Sequence, residues 1–316
     1  MQFTTPVSVP KSDFPIDYDS EIISIGSCFA KNMSAKLSHF GFRNIVNPFG
    51  ILFHPIAIET FLRFAVDGKR FSISDVFCQN ERWHCFDAHS DMSGNDAEVL
   101  IGNLNSAVSS TREKLETATH FIITLGTAWA YRNITSNELV ANCHKVPQKE
   151  FSKQLLSVEE IGKSLENCID LVTSLNPSVR LIFTVSPVRH IKDGVVENQR
   201  SKANLISALH STLEKTRNSH YFPSYEIIMD ELRDYRFYAS DMLHPNGVAI
   251  DFIWEKFRDG WISASAFPMM EEVDSIRKAK AHRPFNPESE QHKKFLSSLE
   301  SRIANLRKRL PFVDLD

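Results

Sequence analysis

The sequence predicts an α/β domain built on a parallel sheet of about five strands, followed by a charged helical C-terminal extension. Short apolar runs of strand length, Ile22–Ile25, His120–Leu125, Arg180–Val185 and Glu226–Met229, are separated by segments of helical periodicity. The first of these runs passes through Gly26 directly into a helix that carries on to about His39, with Gly41 at its stop.

That first unit organises the chain. Ile22 to Ile25 has the length and β-branching of a buried strand, and Ser27 and Cys28 stand where the helix begins. A small nucleophilic side chain at such a turn can be lifted clear of the sheet, beside backbone N–H groups and the positive helix end that stabilise a developing oxyanion. The same position suits a plain serine N-cap. Cys28 is the rival nucleophile, since a helix N-terminus favours the thiolate.

Further along, Met1–Ser20 reads as a proline-punctuated lead-in, and Asn47-Pro48-Phe49-Gly50 as a turn before an apolar helix over Pro55–Ala65. Residues 67–118 read as an insertion on the substrate side. It contains the aromatic Trp83–Ser90 segment, a candidate active-site loop, and an amphipathic helix over Asn95–Lys114. His84, Cys85 and His89 lack a second pair at metal spacing, so no metal is implied. After His120–Leu125, the stretches Trp129–Tyr131 and Glu138–Ala141 predict a hairpin that delivers Asn142-Cys143-His144-Lys145 into a loop. Ser157 and Glu160 form a capping box at the head of a helix reaching Asn176.

The strand Arg180–Val185 ends on Ser186-Pro187-Val188-Arg189-His190. Ligands of open parallel sheets collect beyond the carboxyl ends of the strands, which puts Ser27, Gly126 and Arg189 on one rim. Arg189 is placed either to clamp a substrate anion or to pin the Asp193 loop. A helix over Val195–Leu213 carries Ser201-Lys202, whose adjacent side chains do not face each other and are set aside as a catalytic dyad. Glu226–Met229 is the last expected strand. Asp241 and His244, three residues apart before the helix Gly247–Trp261, suit a carboxylate–imidazole pair with the outer ring nitrogen free to take a proton. His190, with Asp193 three residues on, is the second candidate base. Beyond Pro268 the chain turns charged. Phe295, Leu299, Ile303, Leu306 and Leu310 then mark a terminal amphipathic helix that packs on the domain or pairs with a second copy as a homodimer. The expected division is a catalytic domain at 1–265 and an extension at 266–316.

Gly26-Ser27-Cys28-Phe29-Ala30 resembles the signature of the GSCFA family, which is similar to the SGNH (GDSL-type) hydrolases. Asn47–Gly50, Thr124–Trp129, Asn142–Lys145, Ser186–His190 and Ser201-Lys202 add to the resemblance, which covers about residues 20–262. It implies a three-layer α/β/α, flavodoxin-like fold and ester chemistry at a serine, with Ser27, His244 and Asp241 as the triad. It also implies that the Gly50 N–H joins the Ser27 N–H in an oxyanion hole, where the residue-level alternative for Gly50 is a turn glycine. The wider group carries an asparagine in the loop after the third strand. This chain has Gly126-Thr127-Ala128-Trp129, so the Thr127 hydroxyl, Asn142 or His144 is left to supply that donor. With Asn47, Arg189 and His190, Asn142 and His144 make up the expected substrate-binding set. The substrate class implied is an O-acyl ester, with acetyl on a carbohydrate or another small molecule as the type that fits the relatives. No cofactor is implied. A non-catalytic binding module on the same fold is the alternative from another class.

A chain of 316 residues, 42% hydrophobic, with a net charge of −3, has neither the basic excess of a nucleic-acid partner nor that of a membrane-surface protein. No apolar run reaches bilayer length, and the N-terminus lacks the pattern of a secretory signal. Five cysteines without framework spacing suggest reduced thiols, which makes the cytoplasm the expected location.

Overall fold

The computed structural model describes residues 4–315. Its central sheet pairs β1 (Glu21–Gly26), β2 (Arg43–Val46), β5 (His120–Leu125), β9 (Arg180–Val185) and β10 (Ser219–Tyr221). All neighbours run parallel, in the order β2-β1-β5-β9-β10. This is the flavodoxin-like 2-1-3-4-5 arrangement. Its topological switch point lies between the first and third strands, which here are β1 and β5.

The pleat sorts side chains into two cores. Ile23, Ile25, Phe121, Ile123, Leu181 and Phe183 face one way, and Ile22, Ile122 and Ile182 the other. The first face is covered by α2 (Pro55–Asp67), α3 (Ala97–Thr117), α4 (Val158–Leu175) and α5 (Val195–Leu213). The second is covered by α1 (Cys28–His39) and α7 (Gly247–Trp261), through Phe29, Met33 and Leu37 against Ile253, Trp254 and Phe257. Strands buried on both faces explain why the three central ones read as continuous apolar runs. Three layers result.

Local chemistry starts and stops these helices. Ser157 and Glu160 close the capping box at α4, and Gly68 takes the left-handed C-cap of α2 at φ 67°. Within residues 67–118, β3 (Phe77–Gln79) and β4 (Arg82–His84) form a two-stranded hairpin. The helix α3 is no insertion element: it packs in the first layer and feeds β5. Beyond β5, the expected hairpin is joined by a further strand, giving the antiparallel order β7-β6-β8 from β6 (Trp129–Asn133), β7 (Leu139–Val140) and β8 (Phe151–Leu155).

The expected strand at Glu226–Met229 is overturned. That segment is helical, α6 (Ser224–Glu226) continuing into a π-helical turn at Ile227–Leu232. The fifth strand is β10, a few residues earlier, and β2 was not foreseen. A four-residue apolar run carries no period that separates strand from buried helix. Residues 267–315 form α8 (Phe267–Ala281) and α9 (Glu290–Arg309), which share a third core of Val273, Ile276, Leu299, Leu306, Leu310 and Val313. Among the described residues, no helix is long and apolar enough to cross a membrane.

Candidate active site

Gly26 ends β1 at φ 128°, where any Cβ would lie 2.0 Å from the Thr124 carbonyl oxygen. Only glycine lets the strand turn there while β5 stays paired. Ser27 follows as the N-cap of α1, and its Oγ accepts from the Phe29 N–H at 3.3 Å. The cap is therefore formed, and it sits at the carboxyl end of β1, at the switch point. Ser27 is fully buried, at 0% exposure. Gly126, ending β5, presses on it: a Cβ there would stand 3.2 Å from Ser27 Cβ.

The second half of the arrangement is local. Asp241 Oδ2 and His244 Nδ1 are 2.7 Å apart, while Asp241 Oδ1 accepts the N–H groups of Leu243 (2.9 Å) and His244 (3.0 Å). Those backbone donors, then the ring, hold the Asp241 carboxyl down at about 2. The pair is half-exposed, with side chains 46% and 47% accessible. Its loop is tied to the sheet rim by the Arg189 N–H, which donates to the Leu243 carbonyl at 3.1 Å. Among the described residues no hydrogen bond joins His244 to Ser27.

The remaining expected site residues divide. The Ser27 N–H donates to Thr124 O (3.0 Å) and the Gly50 N–H to Asn47 O (2.8 Å), so the two expected oxyanion donors are spent inside the fold. Gly50 sits at φ 73° with His89 Cβ 2.4 Å from where its own Cβ would be, which makes it a required turn glycine. The first helical N–H, that of Cys28, meets no backbone carbonyl among the described residues. Thr127 Oγ1 is engaged with Ser201 Oγ at 3.0 Å and accepts the Trp129 N–H at 3.1 Å. Asn47 Oδ1 accepts the Gly26 N–H at 2.8 Å, whereas its buried Nδ2 has no partner among the described residues.

His144 does not serve the substrate side. Its Nε2 donates to Cys85 O at 2.7 Å, its ring lies 4.7 Å from that of His84, and burial pushes it down to about 4. Arg189 stacks over Tyr238 at 4.5 Å and faces a separate cavity with Asp230 and Asp234. It pins nothing at Asp193, which pairs with Lys153. Asn142 and His190 line a cavity of about 440 Å³ beside the rim, with Phe53, Thr127, Trp129 and Tyr131. The ring of His190 is held down to about 3 by burial, then by the charges of Lys202 and His244, and its buried Nε2 has no partner among the described residues. Asp193, committed to Lys153, does not orient it.

Two residues that sequence reasoning set aside do reach the rim. Ser201 Oγ accepts the Ala128 N–H at 2.7 Å. Lys202 Nζ donates to Gly126 O and to Ser186 O, each at 2.7 Å. Both occupy the face of α5 that also carries Leu205 and Leu209, and polar residues inside an apolar stripe were the available signal. Cys28 is pushed up by burial, an effect larger than the opposing pull of its helix-start N–H groups and Lys202. This removes the thiolate advantage that a helix start confers.

The fold resembles two solved structures. One is a Clostridium thermocellum family 3 carbohydrate esterase, 10% identical, with a TM-score of 0.34, over 81% of this chain and 98% of that one. The other is an acetyl xylan esterase from the rumen bacterium Butyrivibrio proteoclasticus, 11% identical, with a TM-score of 0.32, over 78% and 66%. Similarities of that size carry no functional inference. No curated protein matches the sequence. The C-terminal domain model of GSCFA domain proteins matches residues 273–316. The GSCFA family model matches residues 21–257, and the chain belongs to the GSCFA family.

Proposed function

We propose that the protein is a serine esterase or acyltransferase acting on an O-acyl ester. The observation that carries this reading is the position of Ser27. It caps a helix at the switch point of a flavodoxin-like sheet, and the loop that carries an oriented Asp241–His244 pair is hydrogen-bonded to the same rim. Ser27 Oγ attacks the ester carbonyl while His244 Nε2 takes its proton, and Asp241 fixes the tautomer through Nδ1–H. His244 then returns the proton to the leaving alkoxide. Water or an acceptor hydroxyl releases the acyl group by the same steps in reverse. The helix-start N–H of Cys28 replaces the spent Ser27 and Gly50 N–H groups as oxyanion donor, in the place where the residue after the nucleophile serves in strand–turn–helix hydrolases. The ester group enters by the cavity of about 440 Å³ beside the rim, a volume suited to a small molecule. Because Ser27 is covered, the loops carrying Phe53 and His244 must give way for substrate to reach it.

That same burial favours a second reading, a binding module that keeps the fold without turnover. One experiment separates the two: intact-mass spectrometry after treatment with a fluorophosphonate, on wild type, Ser27→Ala and His244→Ala. A single adduct on wild type that is lost in both variants supports the triad. A wild type that stays unlabelled sinks it and leaves the binding module.

A further inference from the structure

In the proposed ester chemistry Ala128 offers no side-chain donor to the oxyanion, and two strand-end carbonyls crowd the same rim. The carbonyls of Gly126 and Ser186, at the ends of β5 and β9, are the negative ends of peptide dipoles. Gly126 stands so close to Ser27 that a Cβ on it would lie 3.2 Å from Ser27 Cβ, so in the proposed reaction these dipoles would oppose negative charge developing at the ester carbonyl. Lys202 sits against both. It is 1% exposed, a cost that a lysine bears only with its hydrogen bonds made, and both of its partners are these two carbonyls.

Building on the ester-transfer reading, we propose that Lys202 is a positioning residue for the reaction. Its buried ammonium cancels the two strand-end dipoles and holds the Gly126 turn against Ser27. The positive charge it adds behind the Ser27–Cys28 turn stands in for the donor that Ala128 cannot supply. The protonated form is the effective one.

Among the described residues the groups facing the ammonium are Cys28 from α1, His190 from the loop after β9, and the ring of Tyr225 on α6 at 5.7 Å, and none of these is a carboxylate. Burial accordingly lowers Lys202 to about 7, within reach of an ordinary titration.

The test is the rate of fluorophosphonate labelling from about pH 6 to about pH 9 in wild type, Lys202→Met and Lys202→Arg, with circular dichroism as the folding check. Wild type is expected to rise as the base loses its proton and then fall on the alkaline side. Lys202→Met should slow labelling ~10²-fold, the scale of a lost oxyanion donor. Lys202→Arg, charged throughout, should recover part of the rate and lose the alkaline fall. A folded Lys202→Met that labels within about threefold of wild type overturns the proposal. So does a folded Lys202→Arg that keeps the same alkaline fall as wild type, because an arginine stays charged there and the fall would then belong to another group. A wild type that never labels overturns the ester-transfer reading itself, and the role of Lys202 with it.

Discussion

Gly126 and Ser27 meet at the switch point with no room between them: a Cβ on Gly126 would lie 3.2 Å from Ser27 Cβ and 2.9 Å from the Phe53 carbonyl oxygen. The second approach is against backbone, which cannot swing aside. Gly126→Ala should therefore push β5 and the Phe53 loop apart. We expect a stability loss of about 1–3 kcal/mol, the usual cost of overpacking, read as a lowered midpoint in denaturant. Labelling at Ser27 should slow along with it, because the serine moves with its neighbour.

Asp241 and His244 make the opposite case, in which chemistry and stability separate. The pair is half-exposed, and an exposed ion pair contributes little to folding. Asp241→Asn keeps an oxygen for the Leu243 and His244 N–H groups but offers the ring the wrong partner. Turnover of an acyl ester should drop by about 10⁴-fold, while the melting temperature stays near that of wild type. A large thermal shift would mean the loop, and not the tautomer, depends on Asp241.

Acid stability should report His144. Its folded value is about 4 against 6.5 for the free side chain. Between those values the unfolded chain binds a proton that the folded chain refuses, so stability falls as pH falls through this window. His144→Phe should flatten that slope in denaturant titrations. It should also cost about 1–3 kcal/mol near neutrality, because the Cys85 carbonyl loses its donor. Serine labelling should be unaffected.

Lys202 gives the same sign in a more alkaline window. The folded amine titrates near 7 and the free one at 10.5, so across that range only the unfolded chain holds the proton. The stability of wild type relative to Lys202→Met should then rise with pH above about 7. Chemical denaturation of both proteins at several pH values checks it, and a flat difference would mean that the amine stays charged.

Trp129 lies on the wall of the cavity with Phe53 and Tyr131, under the Lys153 ammonium at 4.8 Å. Trp129→Ala removes a large contact surface distant from the bond being broken. KM for a small acyl ester should rise about tenfold, the equivalent of ~1.4 kcal/mol, with a smaller effect on kcat. Steady-state kinetics separates the two.

What the sequence made legible was local. The β1–α1 passage announced itself by an apolar run, a glycine and a capping serine. The Asp241–His244 pair did so by a spacing that one turn can close. The flanking strands were not legible. β2, Arg-Asn-Ile-Val, and β10, Ser-His-Tyr, are short and half polar, and become strands only because an edge is waiting for them. Backbone donors were invisible too, since nothing in a string of residues says that the Gly50 N–H already has Asn47 O. Lys202 was hidden for the same reason: its partners lie 76 and 16 residues away.

The far end of α1 has a mechanical meaning. Twelve residues from the serine turn, that helix stops where Arg277 of α8 donates to His39 O and Ser38 O, and where Val313 presses on Gly41. A helix of that length is a stiff rod of ~18 Å. One of its ends carries Ser27, and the other is gripped by the C-terminal segment. The tail thus serves as the anchor of a lever whose tip is the Ser27 hydroxyl, and slack at the anchor becomes misalignment at the tip.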